Sequence, residues 1–362
     1  MSARASLRRA LGRARQAELV VWQTAGRALG WRGAWPARGS VDRLGILVHV
    51  PTYPPTRVAG SEISMAATVA AFIDRGHEVR VIVDAPPPAV AAPGVEWAPT
   101  RRGLVRAYRW CDVVFTQLAT RNRAMRLGAL TGTPVVQFLR MGGVDPDVML
   151  GVPDLLVFTA EWLRRGGAGP TRSVVLHPPI DPARYRTRPG HSVALVNLST
   201  AKGAPLFFEI ARRLPDVEFL AVRGQWGDLY EPRPLPPNVT VMDPVEDMRA
   251  VYGLARILLE PSTAEAYGRV GVEAACSGIP TIASDLPGTR EALADAACFL
   301  DPTDPDAWES AIRALDDAAA YAEASRAALR LAEERHRETV QELDTVEATV
   351  REIVAARRGG SR

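Results

Sequence analysis

The sequence predicts an α/β protein built from two doubly wound domains that face each other across a cleft. Three observations carry that expectation. Short runs rich in Val, Leu and Ile recur along the chain and alternate with helical stretches, the pattern of strands buried on both faces of a parallel sheet. A segment with four prolines, HPPIDPARYRTRPGHS (177–192), separates one such series from the next and reads as a linker. The 362 residues are enough for about two independent cores.

The first series comprises LGILVHV (44–50), VRVIVD (79–84), DVVFTQ (112–117), PVVQFL (134–139), LLVFT (155–159) and SVVLHP (173–178). Between its first two runs, Ile63, Ala66, Ala67, Ala70, Ala71 and Ile73 fall at helical spacing, and Gly76 is placed to stop that helix. The second series is SVALVNL, EFLAVRG, VTVMD, ILLEP, TIASD and CFLD, with helical stretches expected at 203–214, 245–255 and 268–277. From Asp304 to Arg357 the chain is rich in Ala, Glu, Leu and Arg and reads as two or three helices. The expected division is a basic extension over 1–40, domains over 41–185 and 186–330, and a helical tail over 331–362 that packs back on the N-terminal domain.

Composition excludes several classes. At 47% hydrophobic and 23% charged the chain is ordinary for a globular protein, and no run of 18 apolar residues is present to span a membrane. Cys111, Cys276 and Cys298 are scattered and odd in number, which fits a reducing compartment and a cytoplasmic location. The five histidines lack metal-ligand spacing, so no metal and no cofactor are expected. The net charge of +3 is uneven: residues 1–40 carry eight arginines against the single acid Glu18. With Leu7, Leu11, Trp22, Leu29, Trp31 and Trp35 among them, this segment reads either as a solvated or disordered arm or as a helix lying on an anionic membrane surface. Nucleic-acid binding is not expected, because no aromatic-bearing RNA module accompanies the arginines.

The chemistry concentrates in ILLEPSTAEAYGRVGVEAACSGIPTIASDLPGTREAL (257–293). A polar loop, Ser262 to Tyr267, follows a strand and precedes a helix that begins near Gly268; loops of this kind overhang the strand ends where open α/β sheets bind ligands. Glu265 in the loop and Glu273 in the helix are suited to accept hydrogen bonds from hydroxyls. Two glutamates eight apart are by themselves a weak signal, more often solvated surface acids than a site. A second singular position is Lys202 in NLSTAKGAPLFF (197–208), because every other basic residue among the 44 is arginine. A compact ammonium on a flexible stem suits a phosphate.

The long stretch resembles the signature of retaining nucleotide-sugar glycosyltransferases of family 4 (glycosyl transferases group 1), which have the GT-B fold of two Rossmann-like domains. The pattern P-S-x-x-E-x-[FY]-G-x-x-x-x-E-A-x-x-x-G-x-P-x-x-A-S-x-x-x-G-x-x-E is filled by Pro261, Ser262, Glu265, Tyr267, Gly268, Glu273, Ala274, Gly278, Pro280, Ala283, Ser284, Gly288 and Glu291. HVPTYPPTRVAGSE near the start, RGHEVRVIV and HPPIDPARY are similar to habitual family segments. In the family an R-x-x-x-x-K-G segment follows the first strand of the C-terminal domain and holds the donor diphosphate; Lys202-Gly203 matches it.

The resemblance implies a metal-independent transferase that moves a sugar from a nucleoside diphosphate, UDP favoured over GDP, to a hydroxyl acceptor. Lys202, the Tyr267-Gly268 amides and the Gly60-Ser61 turn would stabilise the departing diphosphate, Glu265 would orient the sugar, and Glu273 would hold the ribose diol. Three departures stand out. Asn197 replaces the expected arginine, Ala59 replaces the first glycine of the N-terminal pair, and Arg140 stands where a histidine is usual near the reacting carbon. Arg223 and Arg269 are the candidates to restore the missing charge, Arg140 is carried as catalytic beside Glu265, and Arg223, Gln225 and Trp226 lie where a base would be read. The alternatives are a nucleotide-sugar-binding scaffold without activity, a GT-B epimerase using His49 and Asp84, a cyclitol-coupling enzyme, and a metal-dependent transferase through Asp145 and Asp147.

Overall fold

The computed structural model describes residues 3–31, 42–84, 95–97, 101–140, 150–167, 171–225 and 227–359. Contacts divide the chain into two compact units, residues 1–177 with 341–362, and residues 178–340. The expected boundary at 185/186 therefore falls inside the second unit, and the division lies at the first proline of the linker.

Unit one contains the strands β1 (Gly45–Val50), β2 (Glu78–Val83), β3 (Val95–Trp97), β4 (Val113–Gln117), β5 (Val135–Leu139), β6 (Leu155–Phe158) and β7 (Ser173–Val175). They form one parallel sheet in the order β3-β2-β1-β4-β5-β6-β7. The helices α1 (Ala3–Ala28), α2 (Gly60–Asp74), α3 (Arg101–Trp110), α4 (Arg121–Thr131) and α5 (Glu161–Gly167) belong to it. β1, β4, β5 and β6 are buried along their whole length, as their unbroken apolar runs require. β3 was not expected: three residues in a proline-rich setting carry no periodic signal.

α2 forms where it is expected, and its bulky residues choose the face it buries. Met65, Thr68, Val69 and Phe72 are buried, while Ile73 is exposed. The spacing 65, 68, 69, 72 is as helical as the alanine series, and burying Phe72 and Met65 removes far more apolar area from water than burying alanines does. α1 is neither a solvated arm nor a disordered one over its described side chains. It packs on α4, with Leu19 buried among Leu104, Tyr108, Met125 and Leu150 and Glu18 paired with Arg126 at 2.5 Å. Residues 32–41, which include Trp35, lie outside the described residues. Among the described residues no helix is long and apolar enough to cross a membrane.

Unit two contains α6 (Pro182–Tyr185), β8 (Ser192–Val196), α7 (Ala204–Arg213), β9 (Phe219–Val222), β10 (Val239–Met242), α8 (Arg249–Tyr252), β11 (Ala255–Glu260), α9 (Arg269–Ala275), β12 (Thr281–Ser284), α10 (Pro287–Leu293), β13 (Ala297–Leu300) and α11 (Pro305–Ala314). Its six strands are parallel in the order β10-β9-β8-β11-β12-β13. The helix expected over 245–255 contracts to α8, started by Asp247, whose carboxylate accepts from the Arg249 amide at 3.0 Å, and ended at Gly253.

The last helix, α12 (Ala318–Gly359), begins in unit two and from Gln341 onward belongs to unit one. There Leu343, Val346, Val350, Ile353 and Val354 enter the core of the β1–β4–β5 layer. Glu342 binds the His177 amide and ring at 2.8 and 2.7 Å, and Glu347 lies 3.2 Å from His77 Nε2. Together α1 to α12 and the two sheets make a GT-B fold.

In unit two the core between the sheet and α7 centres on Phe207, which meets Phe208 and Phe219 edge-to-face at 5.4 Å. Phe207→Ala is expected to cost about 3–5 kcal/mol in urea or guanidinium unfolding. A loss below about 1 kcal/mol would show that this cluster does not anchor the unit.

Candidate active site

In each sheet the strand order reverses at one point, between β1 and β4 in unit one and between β8 and β11 in unit two. Loops leaving adjacent strands in opposite directions there open a crevice at the carboxyl ends, the usual ligand site of doubly wound sheets. The sequence-derived candidates sit at both switch points.

In unit two β8 ends at Val196 and Asn197 turns the chain with φ +75°. Its amide oxygen accepts from the Ser199 N–H at 3.1 Å, so asparagine here also serves the turn, by tolerating the left-handed region and capping a backbone donor. A single 3₁₀ turn, Thr200–Lys202, leads to Gly203 with φ +79°. A Cβ at Gly203 would collide with the carbonyl of Pro261, so only glycine lets this turn lie against the loop after β11. Thr263 N–H donates to Ala201 O at 3.0 Å and stitches turn to loop. The result is that the Lys202 ammonium pairs with Glu265 Oε1, which also accepts from Ser262 Oγ at 3.0 Å. Both charged side chains are mostly shielded, at 18% and 10% exposure, so their attraction is little weakened by solvent.

Glu273 is brought together with a different set. One carboxylate oxygen accepts from Arg269 Nε and the other from Tyr252 OH at 2.8 Å, while Arg269 Nη2 donates to Tyr185 OH at 2.6 Å. The carboxylate is 5% exposed. Two donors still leave lone pairs on a carboxylate that can accept about four hydrogen bonds. Burial and the neighbouring Glu273 hold the Tyr252 phenol far from ionisation, so it stays a donor. Tyr267 is buried, and Gly268 begins α9 with φ +95°.

The spare cation expected at Arg223 or Arg269 is not spare in either place. Arg223 forks onto Glu231 at 2.9 and 2.9 Å and also bonds Asp243 at 2.8 Å; these carboxylates push its proton affinity up. Arg269 answers Glu273. Gln225 is exposed, and Trp226 lies outside the described residues.

A residue the sequence reading passed over stands between these groups. Glu260, the last residue of β11, is 5% exposed, and its Oε2 has no hydrogen-bond partner among the described residues. Its carboxyl lies against the start of α9, where a Cβ added at Gly271 would come within 2.9 Å of Oε2. Burial, helped by the charges of Glu265 and Glu273 and opposed by Lys202, pushes its pKa up to about 8.

In unit one α2 starts at Gly60, where a Cβ would meet nothing within 4 Å. Ser61 Oγ donates to Glu62 at 2.7 Å and Thr52 Oγ1 donates to it at 2.9 Å, so the buried Glu62 ties the loop after β1 to the helix start. A carboxylate in the first turn is also favoured by the helix dipole. Arg140 follows β5 directly, is 8% exposed, and donates to Gln117 Oε1 at 3.2 Å. Gln117 donates in turn to Ser61 O at 3.4 Å, so a residue unmarked in the sequence joins Arg140 to the Gly60-Ser61 turn. His49 is fully buried between Tyr108 OH at 2.7 Å and Asp84 at 3.1 Å. Asp145 and Asp147 lie outside the described residues.

Residues 193–317, which hold the Lys202 turn, the Glu265 loop and α9, match the family model described as Glycosyl transferases group 1. The chain carries a glycosyl transferases group 1 domain. Over 70 residues it is 34% identical to the O-antigen chain mannosyltransferase RfbU of Salmonella typhimurium, covering 19% of this chain and 20% of that protein. Over 260 residues it is 24% identical to the D-inositol 3-phosphate glycosyltransferase of Mycolicibacterium vanbaalenii, covering 59% and 56%. The chain thus spans from a fifth to just over half the length of these curated relatives. The fold is similar to Anabaena HepE, crystallised with UDP and glucose, at TM-score 0.70 and 17% identity over 85% of this chain and 99% of that one.

Glu260 gives a pH test. A carboxyl whose pKa is raised on folding keeps a proton that the unfolded chain releases, so its relative stability is intact below about 4.5 and falls as pH climbs toward about 8. Glu260→Gln is therefore expected to gain on the wild type by up to about 1.4 kcal/mol per pH unit across that window. Thermal unfolding at a series of pH values measures it, and parallel curves for the two proteins would contradict it.

Proposed function

We propose that the chain is a retaining, metal-independent glycosyltransferase of family 4. It would move a sugar from a nucleoside diphosphate, a UDP-sugar in preference to a GDP-sugar, onto a hydroxyl acceptor in cell-surface glycan or glycolipid synthesis. The observation that carries this reading is the Lys202–Glu265 pair at the switch point of unit two, inside the group 1 domain. A cation beside a hydroxyl acceptor is what a sugar diphosphate needs. The named functions of RfbU and the inositol phosphate glycosyltransferase favour a hydroxyl acceptor, and the UDP in the HepE crystal favours UDP.

In the proposed reaction the bond from the anomeric carbon to the diphosphate breaks as a bond to the acceptor oxygen forms on the same face. The acceptor proton passes to the departing phosphate oxygen, so no separate base is required. Lys202, with the Tyr267-Gly268 amides, meets the charge that grows on the diphosphate, in place of a metal ion. Glu265 turns from the ammonium to the sugar hydroxyls, and Glu273, oriented by Arg269 and Tyr252, receives the ribose diol at its remaining lone pairs. Unit one is assigned the acceptor, with Arg140, Gln117 and the Gly60-Ser61 turn as its polar groups. The exposed Val20, Val21 and Leu29 of the arginine-rich N-terminal segment suit contact with an anionic lipid surface from the cytoplasmic side.

A second reading has its own observation. Because Arg223 and Arg269 are already paired with carboxylates, neither restores the charge missing at Asn197, which favours a nucleotide-sugar-binding protein without turnover. Calorimetric titration with UDP and GDP, without added metal, tests the donor assignment first, and binding of UDP is expected. Lys202→Ala is expected to weaken it by roughly 10- to 150-fold, the worth of a charge-assisted hydrogen bond. Unchanged affinity in both Lys202→Ala and Glu273→Ala would remove the assignment. Hydrolysis or transfer of a UDP-sugar by the wild type, abolished in Glu265→Gln, separates an enzyme from a silent binder.

A further inference from the structure

The function proposed for Lys202 and Glu265 leaves Glu260 without a task. Its carboxyl closes β11 one residue before Pro261, whose carbonyl fixes the Lys202 turn through Gly203. It is almost fully buried, one oxygen has no hydrogen-bond partner among the described residues, and the first turn of α9 is hollowed by Gly268 and Gly271 to admit it. An apolar side chain would fill this place without the desolvation that a carboxyl suffers. The ionisable groups that act on it are Lys202 from the turn after β8, Glu265 from the loop after β11, and Glu273 from α9, the last already paired with Arg269. Its strand neighbours β8 and β12 carry no ionisable residue, and α10 contributes Thr289 and Leu293.

We infer that Glu260 is a positioning residue whose proton sets the charge of the donor site: protonated, it leaves Lys202 to Glu265 and the incoming diphosphate; ionised, it competes for the same ammonium and repels the donor. This rests on the reading of the crevice as a nucleoside-diphosphate site. Its physical basis is reciprocity. If the neutral form of Glu260 favours an anion beside Lys202, an anion beside Lys202 favours the neutral form, so donor binding draws a proton onto the carboxyl. The burial that holds its pKa near 8 puts this exchange within reach of ordinary assay conditions.

The test uses the full chain and UDP as probe, by calorimetry at about pH 7.5 and about pH 9, where the diphosphate is already fully ionised. Repeating it in two buffers of different ionisation heat counts the protons taken up. The wild type is expected to lose roughly tenfold in affinity over that interval and to bind UDP with uptake of a fraction of a proton near pH 8. In Glu260→Gln the slope and the uptake both disappear, while binding at the lower pH persists. A wild type with no slope and no uptake overturns the inference and leaves the nucleotide site standing, as does a Gln variant with an unchanged slope. No binding of UDP or GDP by the wild type at the lower pH removes the site, and the inference with it. Should the variant not fold, the proton count of the wild type alone decides, and zero uptake overturns the inference.

Discussion

The turn after β8 and the loop after β11 touch where Gly203 lies under the Pro261 carbonyl, and the proposed donor site depends on that contact. With any side chain at 203 the turn would lift away, and Lys202 would lose the geometry that brings it to Glu265. The same approach sets the start of α7 at Ala204, and through α7 the packing of Phe207 against the sheet. A steric constraint on one backbone atom thus links the core of unit two to its charged crevice.

Around that contact the polar groups divide into two kinds. Lys202, Glu265 and Ser262 form a small set beyond the ends of β8 and β11, in which the pair's charges balance. Tyr252, Glu273, Arg269 and Tyr185 form a longer, mostly buried chain in which Tyr252 and Arg269 donate to Glu273 and Arg269 also donates to Tyr185. In the proposed reaction the first set would rearrange, its partners exchanged for phosphate and sugar oxygens. The second is held on several sides, since removing one member strands a charge in the interior. Glu260 belongs to neither kind.

The architecture was legible because parallel strands buried on both faces must be continuous apolar runs, and twelve such runs became strands. β3 was not, since three residues offer no period to read. That α2 is a helix was legible from its spacing, but its buried face was not, because alanine fits either face of a helix and Met65, Val69 and Phe72 decide it through bulk. At the site, Lys202 and Glu265 could be found from singularity and motif. Arg269 stands one helical turn before Glu273, a pairing that spacing allows, but Glu231, Asp243 and Tyr185 lie at separations that follow only from folding. Glu260 carried a signal of a kind, a carboxylate ending an apolar strand immediately before Pro261, where burial was already implied by ILLE.

α12 brings Leu343, Val346, Val350, Ile353 and Val354 into the first unit's core after the whole of the second unit has been traversed. Translation delivers residues in order, so the sheet of unit one emerges from the ribosome long before the helix that covers it. During that interval the surface awaiting α12 is open to solvent and to other chains. The second unit, drawn from one uninterrupted stretch, has no such wait. The half of the molecule made first is therefore the half completed last, and its vulnerability in the cell is one of timing rather than of final stability.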